Sequence, residues 1–162
     1  MVEIKLNRNI DDGAHYLKAS CNYVIKKPEQ VSFGCYGVSC CDPDAAFTQM
    51  MAVKKYFGKT SGNPLIHLII SYDDCVRDIL DAVETSKSIV SYFTPRYQLI
   101  WALHHKERGC SKYHLHIVLN SVSYVDGKMA HTGIYEVNQF AQYVSSCTGA
   151  KTWVVFAKQD KE

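Results

Sequence analysis

The chain has 162 residues, 47% of them apolar and 21% charged, with a formal charge of +2; that suits one soluble domain with a real core. No apolar run is long enough for a transmembrane helix, and the opening Met-Val-Glu-Ile-Lys-Leu is not an export signal. The seven cysteines are odd in number and scattered, so they read as reduced thiols of a cytosolic protein rather than a disulfide framework. A charge so close to zero gives no footprint of a nucleic-acid partner by itself.

Residues 2–7 alternate as a short strand. Asp11 and Asp12 stand before Ala14 as caps of a helix that runs to about Lys26 and is stopped by Pro28. Leu17, Cys21 and Val24 form its apolar stripe, while Tyr16 and Tyr23, seven residues apart, share a different face. Tyrosines at that spacing usually pack; this pair gains a chemical role if the helix lies over ionisable groups. Residues 31–39, rich in glycine and aromatics, read as irregular or partly extended. Cys35, Cys40 and Cys41 match no standard zinc spacing and are read as small packing side chains. Asp42-Pro43-Asp44 opens a second helix to about Phe57, with Phe47, Met50, Met51 and Val53 inward. Lys54, Lys55 and Lys59 read as its solvated face or a modest phosphate-contact patch.

After the break at residues 59–64, residues 65–72 form a strongly apolar strand. His67 within it is either a satisfied core histidine or part of an active face. Asp73 and Asp74 are read as caps of a third helix through about Tyr92. Residues 97–105 and 113–120 read as two strands joined by a short polar connector containing Gly109, the pattern of a β-hairpin. A turn at residues 125–128, a helix over 134–147 and a strand over 151–157 complete the chain. The expectation is a single domain, 1–162, of α+β class. About five strands form an antiparallel or mixed sheet with helices packed on it, in a split βαβ, ferredoxin-like arrangement.

The chemistry gathers at Tyr113-His114-Leu115-His116-Ile117-Val118-Leu119-Asn120. Alternate strand residues share a face, so His114 and His116 project together, roughly 6.5–7 Å apart along the chain. A connector centred on Gly109 sets His104 opposite His114; centred half a residue later, it sets His105 there. Directly opposed residues lie close on one face, so either register brings a third imidazole to the pair. Three histidines on one face are a candidate metal site with open coordination positions, which is what catalysis requires.

A hydrophobic strand bearing His-x-His and ending in Asn120, with an upstream histidine on its neighbour, resembles the HUH endonuclease superfamily. More narrowly, it is similar to the relaxase/mobilisation nuclease family. Three further stretches agree in order. Residues 17–29, with Tyr23 followed by Lys27-Pro28-Glu29, resemble the helix that carries that family's nucleophilic tyrosine. Ser32-Phe-Gly-Cys35 is similar to the segment after it, and Leu65-Ile-His67-Leu-Ile-Ile-Ser71-Tyr72 to the family's His-Leu-Ile-x-Ser-Phe strand. Where the family has His-x-Asp before the His-x-His, this chain has His105-Lys106-Glu107 with a longer spacing. Family members are also commonly much longer.

The resemblance implies a site- and strand-specific endonuclease of conjugative mobilisation, acting on single-stranded DNA at a transfer origin in the bacterial cytoplasm. Tyr23 would be the nucleophile, giving a 5′-phosphotyrosine and a free 3′-hydroxyl. His105, His114 and His116, with His104 as the alternative to His105, would hold a divalent ion, Mg²⁺ or Mn²⁺, although imidazoles also suit other metals. Glu107 and Asn120 would orient these ligands or bind substrate, with Tyr16 and His67 auxiliary. Accessory DNA-binding proteins are implied partners; membrane insertion is not. Two rival readings stand beside this one. Replication initiators and transposases of the superfamily carry the nucleophile on a helix after the His-x-His strand, which here offers Tyr143; no lysine follows three or four residues beyond it. A DNA-binding accessory module that keeps the fold without cleaving is the other.

Overall fold

The computed structural model describes residues 1–7, 13–26, 28–39, 42–106 and 112–156. Its elements in order are β1 (Val2–Asn7), α1 (Gly13–Lys26), β2 (Gln30–Tyr36), α2 (Pro43–Tyr56), β3 (Leu65–Tyr72), α3 (Ile79–Val90), β4 (Leu99–His105), β5 (Tyr113–Asn120), α4 (Ile134–Thr148) and β6 (Thr152–Phe156). The strands form one sheet of order β2-β4-β5-β3-β1-β6. All neighbours are antiparallel except β1 and β6, which run parallel. The α+β class and the mixed sheet match expectation. Among the described residues the strand count is six rather than five, because part of the stretch expected to be irregular or partly extended is the edge strand β2. Its Gly34 lies under the Trp101 indole, where a Cβ would come within 2.7 Å of the ring nitrogen. The glycine that made the stretch look irregular is a packing requirement.

Period-2 alternation sends the apolar residues of the central strands to both faces. Ile4, Leu68, Trp101 and Ile117 join Ile89 of α3 and Phe140 and Val144 of α4 in the larger core. On the other face Leu17, Cys21 and Val24 of α1 and Met50 of α2 seat on Leu65, Ile100, Ala102 and Val118. Each helix therefore buries one apolar stripe against a sheet face. The third helix starts later than Asp73 and Asp74 suggested. Asp78 is its cap, accepting from the Asp81 backbone N–H, so the earlier aspartates belong to the loop. Among the described residues Cys21, Cys75 and Cys147 are free thiols, and burial pushes that of Cys21 up to about 12. Cys40 and Cys41 lie outside the described residues. Among the described residues no helix is long and apolar enough to cross a membrane.

Lys54 is not on a solvated face. It is 2% exposed, and its Nζ donates to Ser121 Oγ at 2.7 Å, while that hydroxyl donates to the Asn63 carbonyl at 2.6 Å. Desolvation lowers its pKa to about 8 from the ordinary 10.5. Between those two values the unfolded chain binds the proton that the folded chain has released, so stability rises with pH across that window. Urea midpoints of the wild type and Lys54→Met, taken from pH 7 to 10, are expected to show the wild type gaining on the variant above about pH 8. A constant difference between the two would refute the buried-ammonium account.

Candidate active site

Strand register decides which histidines meet. In the β4–β5 pair, His104 faces His114, Ala102 faces His116, and His105 faces Tyr113. In the β3–β5 pair, Ile69 faces His116 and Ser71 faces His114. His67, two residues before Ile69, therefore shares the α1-facing side of the sheet with His104, His114 and His116. His105 does not. It lies on the opposite side, its ring 5.0 Å from that of Tyr113, and its backbone N–H donates to the Glu29 carbonyl. Between the two readings left open by the hairpin, the structure adopts the one that sets His104 opposite His114. Glu107, on the connector, lies outside the described residues.

The rings form a cluster. His104 and His116 have centroids 4.5 Å apart, and His67 and His116 5.6 Å apart. A hydrogen bond of 3.3 Å links His67 Nε2 and His116 Nδ1. His104 Nε2 is 3.5 Å from the Val24 carbonyl of α1, which ties the sheet to the helix above it. Tyr23 lies over this group because α1 buries its Leu17-Cys21-Val24 stripe and leaves the tyrosine on its flank, 43% exposed. Its ring centroid is 5.8 Å from His116, 6.4 Å from His67 and 6.5 Å from His104. Beside it opens a cleft of about 330 Å³ lined by Tyr16, Ser20, Tyr23, Asn7, His67 and Ile69. Tyr16 and Tyr23 thus share one cleft, as their seven-residue spacing allowed.

Burial sets the charge of these groups. Desolvation, reinforced by the nearby His104 and Lys5, lowers the His67 pKa to about 4. Desolvation also lowers that of His114, with Lys106 and His104 acting in the same direction. Both rings are therefore neutral at pH 7, the form in which imidazole offers a lone pair to a metal or accepts a proton. The Nδ1 of His114 is buried with no hydrogen-bond partner among the described residues. Neutral imidazoles on one face, with an orphaned ring nitrogen among them, are a donor set that fits a divalent ion. Among the described residues no three His, Cys, Asp or Glu side chains are already spaced around a common point; two of the rings bond to each other instead.

The remaining candidates lie elsewhere. Tyr143 on α4 packs against α3: its hydroxyl donates to the Ser88 carbonyl at 2.9 Å and lies 3.1 Å from Ser91 Oγ. The sheet separates it from the histidines, since α4 belongs to the core of the opposite face. Asn120 is fully buried; its Nδ2 donates to the Gln98 Oε1 at 2.9 Å and to the Met50 carbonyl at 3.2 Å, and its Oδ1 accepts from the Val122 N–H. These bonds fasten α2 and the start of β4 to the end of β5, and none reaches an imidazole. Asn120→Ala is expected to cost about 2–3 kcal/mol of stability, read from urea unfolding, because it strands buried partners. Activity per folded molecule should stay near that of the wild type; a loss of activity without loss of stability would restore Asn120 to the site. Asn7 and Ser20, at the cleft's edge, carried no sequence signal. The pairing of His67 with His116 had only one, the even spacing from Leu65 that placed it on a definite face.

Compared with known families, residues 17–148 match the family model described as Relaxase: MobA/VirD2-like, nuclease domain. No curated protein and no solved structure matches the chain.

Proposed function

We propose, from the premise that this chain belongs to the relaxase family as a MobA/VirD2-like nuclease domain, that it nicks single-stranded DNA with Tyr23 as nucleophile. The observation that carries this is the Tyr23 ring lying within 5.8–6.5 Å of three histidine rings while remaining 43% exposed to incoming DNA. The phenolic oxygen attacks the scissile phosphorus, the bond to the 3′ oxygen breaks, and a 5′-phosphotyrosine forms. The phenolic proton leaves to solvent, and the departing 3′ oxygen takes up a proton from solvent to become the free hydroxyl. Because the phosphodiester energy is kept in the tyrosyl ester, the same hydroxyl can reverse the step.

His104, His114 and His116 would hold the divalent ion, Mg²⁺ or Mn²⁺ in function, with His104 in the place that resemblance assigned to His105. When bound, such an ion withdraws charge from the scissile phosphate as a Lewis acid. His67 keeps the His116 ring oriented through the bond between them. Tyr16, two turns earlier on α1 in the same cleft, is a second hydroxyl or a surface on which a base can stack. The biological setting is strand transfer from the origin of a plasmid or integrative element in a bacterial cytoplasm, with accessory proteins exposing the single strand.

The test is a denaturing-gel assay with Mn²⁺ and single-stranded DNA from the transfer origin of the encoding element. A covalent protein–DNA band supports the reading. Tight binding of that DNA with no such band, accessory proteins included, would instead identify a non-cleaving DNA-binding module.

A further inference from the structure

The helices α1 and α2 cover only part of their face of the sheet. Their apolar stripe seats on residues of β3, β4 and β5, and the same face continues across β1 to the edge strand β6. Two cross-strand rows run along it from the histidines. One passes from His114 through Ser71 and Glu3 to Trp153; the other passes from His116 through Ile69 and Lys5 to Val155. Neighbouring strands lie about 4.8 Å apart, so Trp153 stands about 14 Å from His114 along its row.

The far end of these rows is open: Trp153 is 36% exposed, Val155 39% exposed, and Lys5 is exposed between Ile69 and the edge. This surface continues into the Tyr23 cleft, whose wall includes Ile69, His67 and Asn7 from the same strands. Lys5 supplies positive charge felt at His67. Glu3, the carboxylate on these rows, accepts the Trp153 indole N–H at 3.3 Å; it fixes the edge of the ring and leaves a face of the ring to meet a ligand. An indole beside a lysine, on a surface that runs into a nuclease cleft, suits a single strand of nucleic acid, whose bases stack while its phosphates seek cations. An apolar helix would have to bury the Lys5 ammonium.

We infer that β1 and β6 form a docking platform for the DNA strand flanking the scissile phosphate, with Trp153 stacking on a base and Lys5 contacting a phosphate between that base and Tyr23. The inference rests on the proposed cleavage by Tyr23 and names part of the substrate's path.

Intrinsic fluorescence tests it, because Trp101 and Trp153 are the two tryptophans of the chain and Trp101 is buried on the opposite face. Mixed-sequence single-stranded DNA is titrated without divalent ion. Emission should be quenched in the wild type and in Trp101→Phe, and not in Trp153→Phe. Trp153→Ala should weaken binding about ten- to a hundredfold, with Trp153→Phe recovering most of the loss. Lys5→Gln should lower the slope of log affinity against log salt by about 1. Unchanged affinity in a folded Trp153→Ala, or quenching that resides in Trp101, overturns the platform. Concentration-dependent self-association that is relieved by Trp153→Ala, with no effect on DNA affinity, overturns it in favour of a second copy. The two proposals fail separately: a covalent band with Trp153 silent removes the platform alone, and quenching of Trp153 with no covalent band in any sample removes the nuclease reading alone.

Discussion

Tyr23→Phe is expected to abolish the covalent protein–DNA band, a fall of at least about 10³-fold in adduct formation, as removal of a nucleophile does. The substitution deletes one oxygen and keeps the ring that lies over His116, His67 and His104. Because the side chain is 43% exposed, the variant should fold with stability within about 0.5 kcal/mol of the wild type. DNA affinity should also survive, so that the loss is one of chemistry alone. Tyr143→Phe should leave the band unchanged, since its hydroxyl is bonded to Ser88 on the far side of the sheet. Tyr16→Phe is the informative control, as Tyr16 shares the cleft. A band that persists in Tyr23→Phe and disappears in Tyr16→Phe would transfer the nucleophile's role to Tyr16.

The second large effect separates two adjacent residues. His104→Ala is expected to reduce Mn²⁺-dependent nicking by about 10²–10³-fold, the scale of losing one element of charge stabilisation at the phosphate. His105→Ala should stay within a few-fold of the wild type. The contrast follows from register: His104 opposes His114, and His105 opposes Tyr113 on the other face. Calorimetric titration with Mn²⁺ in the absence of DNA supplies the independent readout, with affinity falling in His104→Ala and holding in His105→Ala. His104 is 1% exposed, so its truncation also leaves a cavity and some loss of stability is expected; both variants should be compared well below their melting temperatures. The reverse pattern, with His105→Ala inactive and His104→Ala active, would mean that the hairpin pairs one residue out of register when DNA is bound.

The difference between His104 and His105 also marks where the sequence stopped being legible. His114 and His116 share a face by strand periodicity alone, and that is where they stand. Their neighbour's register depends on the turn, and a shift of half a residue in its centre exchanges the candidates; the His105-Lys106-Glu107 match to the family pattern favours His105, whereas the strand register sets His104 opposite His114. The composition of β2 misled for a different reason, because Gly34 is required by the Trp101 ring rather than by a turn. Its charge alone reads Lys54 as solvated, although its four-carbon stem lies in the helix's buried row and its ammonium meets Ser121, 67 residues away. Such contacts follow from sheet order, which neither periodicity nor capping encodes. What was legible was local: the helix stripe that leaves Tyr23 on its flank, the hairpin and the paired tyrosines. Asn120 was assigned to the site from its motif, and in the fold its amide joins α2 to β4 and β5 instead.

The place of β5 within the sheet has a thermodynamic corollary. It is hydrogen-bonded along both edges, to β4 and to β3, whereas among the described residues β2 and β6 are each paired on one edge. Backbone amides of such an interior strand exchange with solvent chiefly when the whole domain opens, while those of an outer strand can exchange through local fraying. His104, His114, His116 and His67 all stand on the three strands of this interior. Their relative arrangement therefore shares the free energy of the domain as a whole, and the entropy of bringing the four rings together is lost once, at folding, rather than each time a strand of DNA arrives.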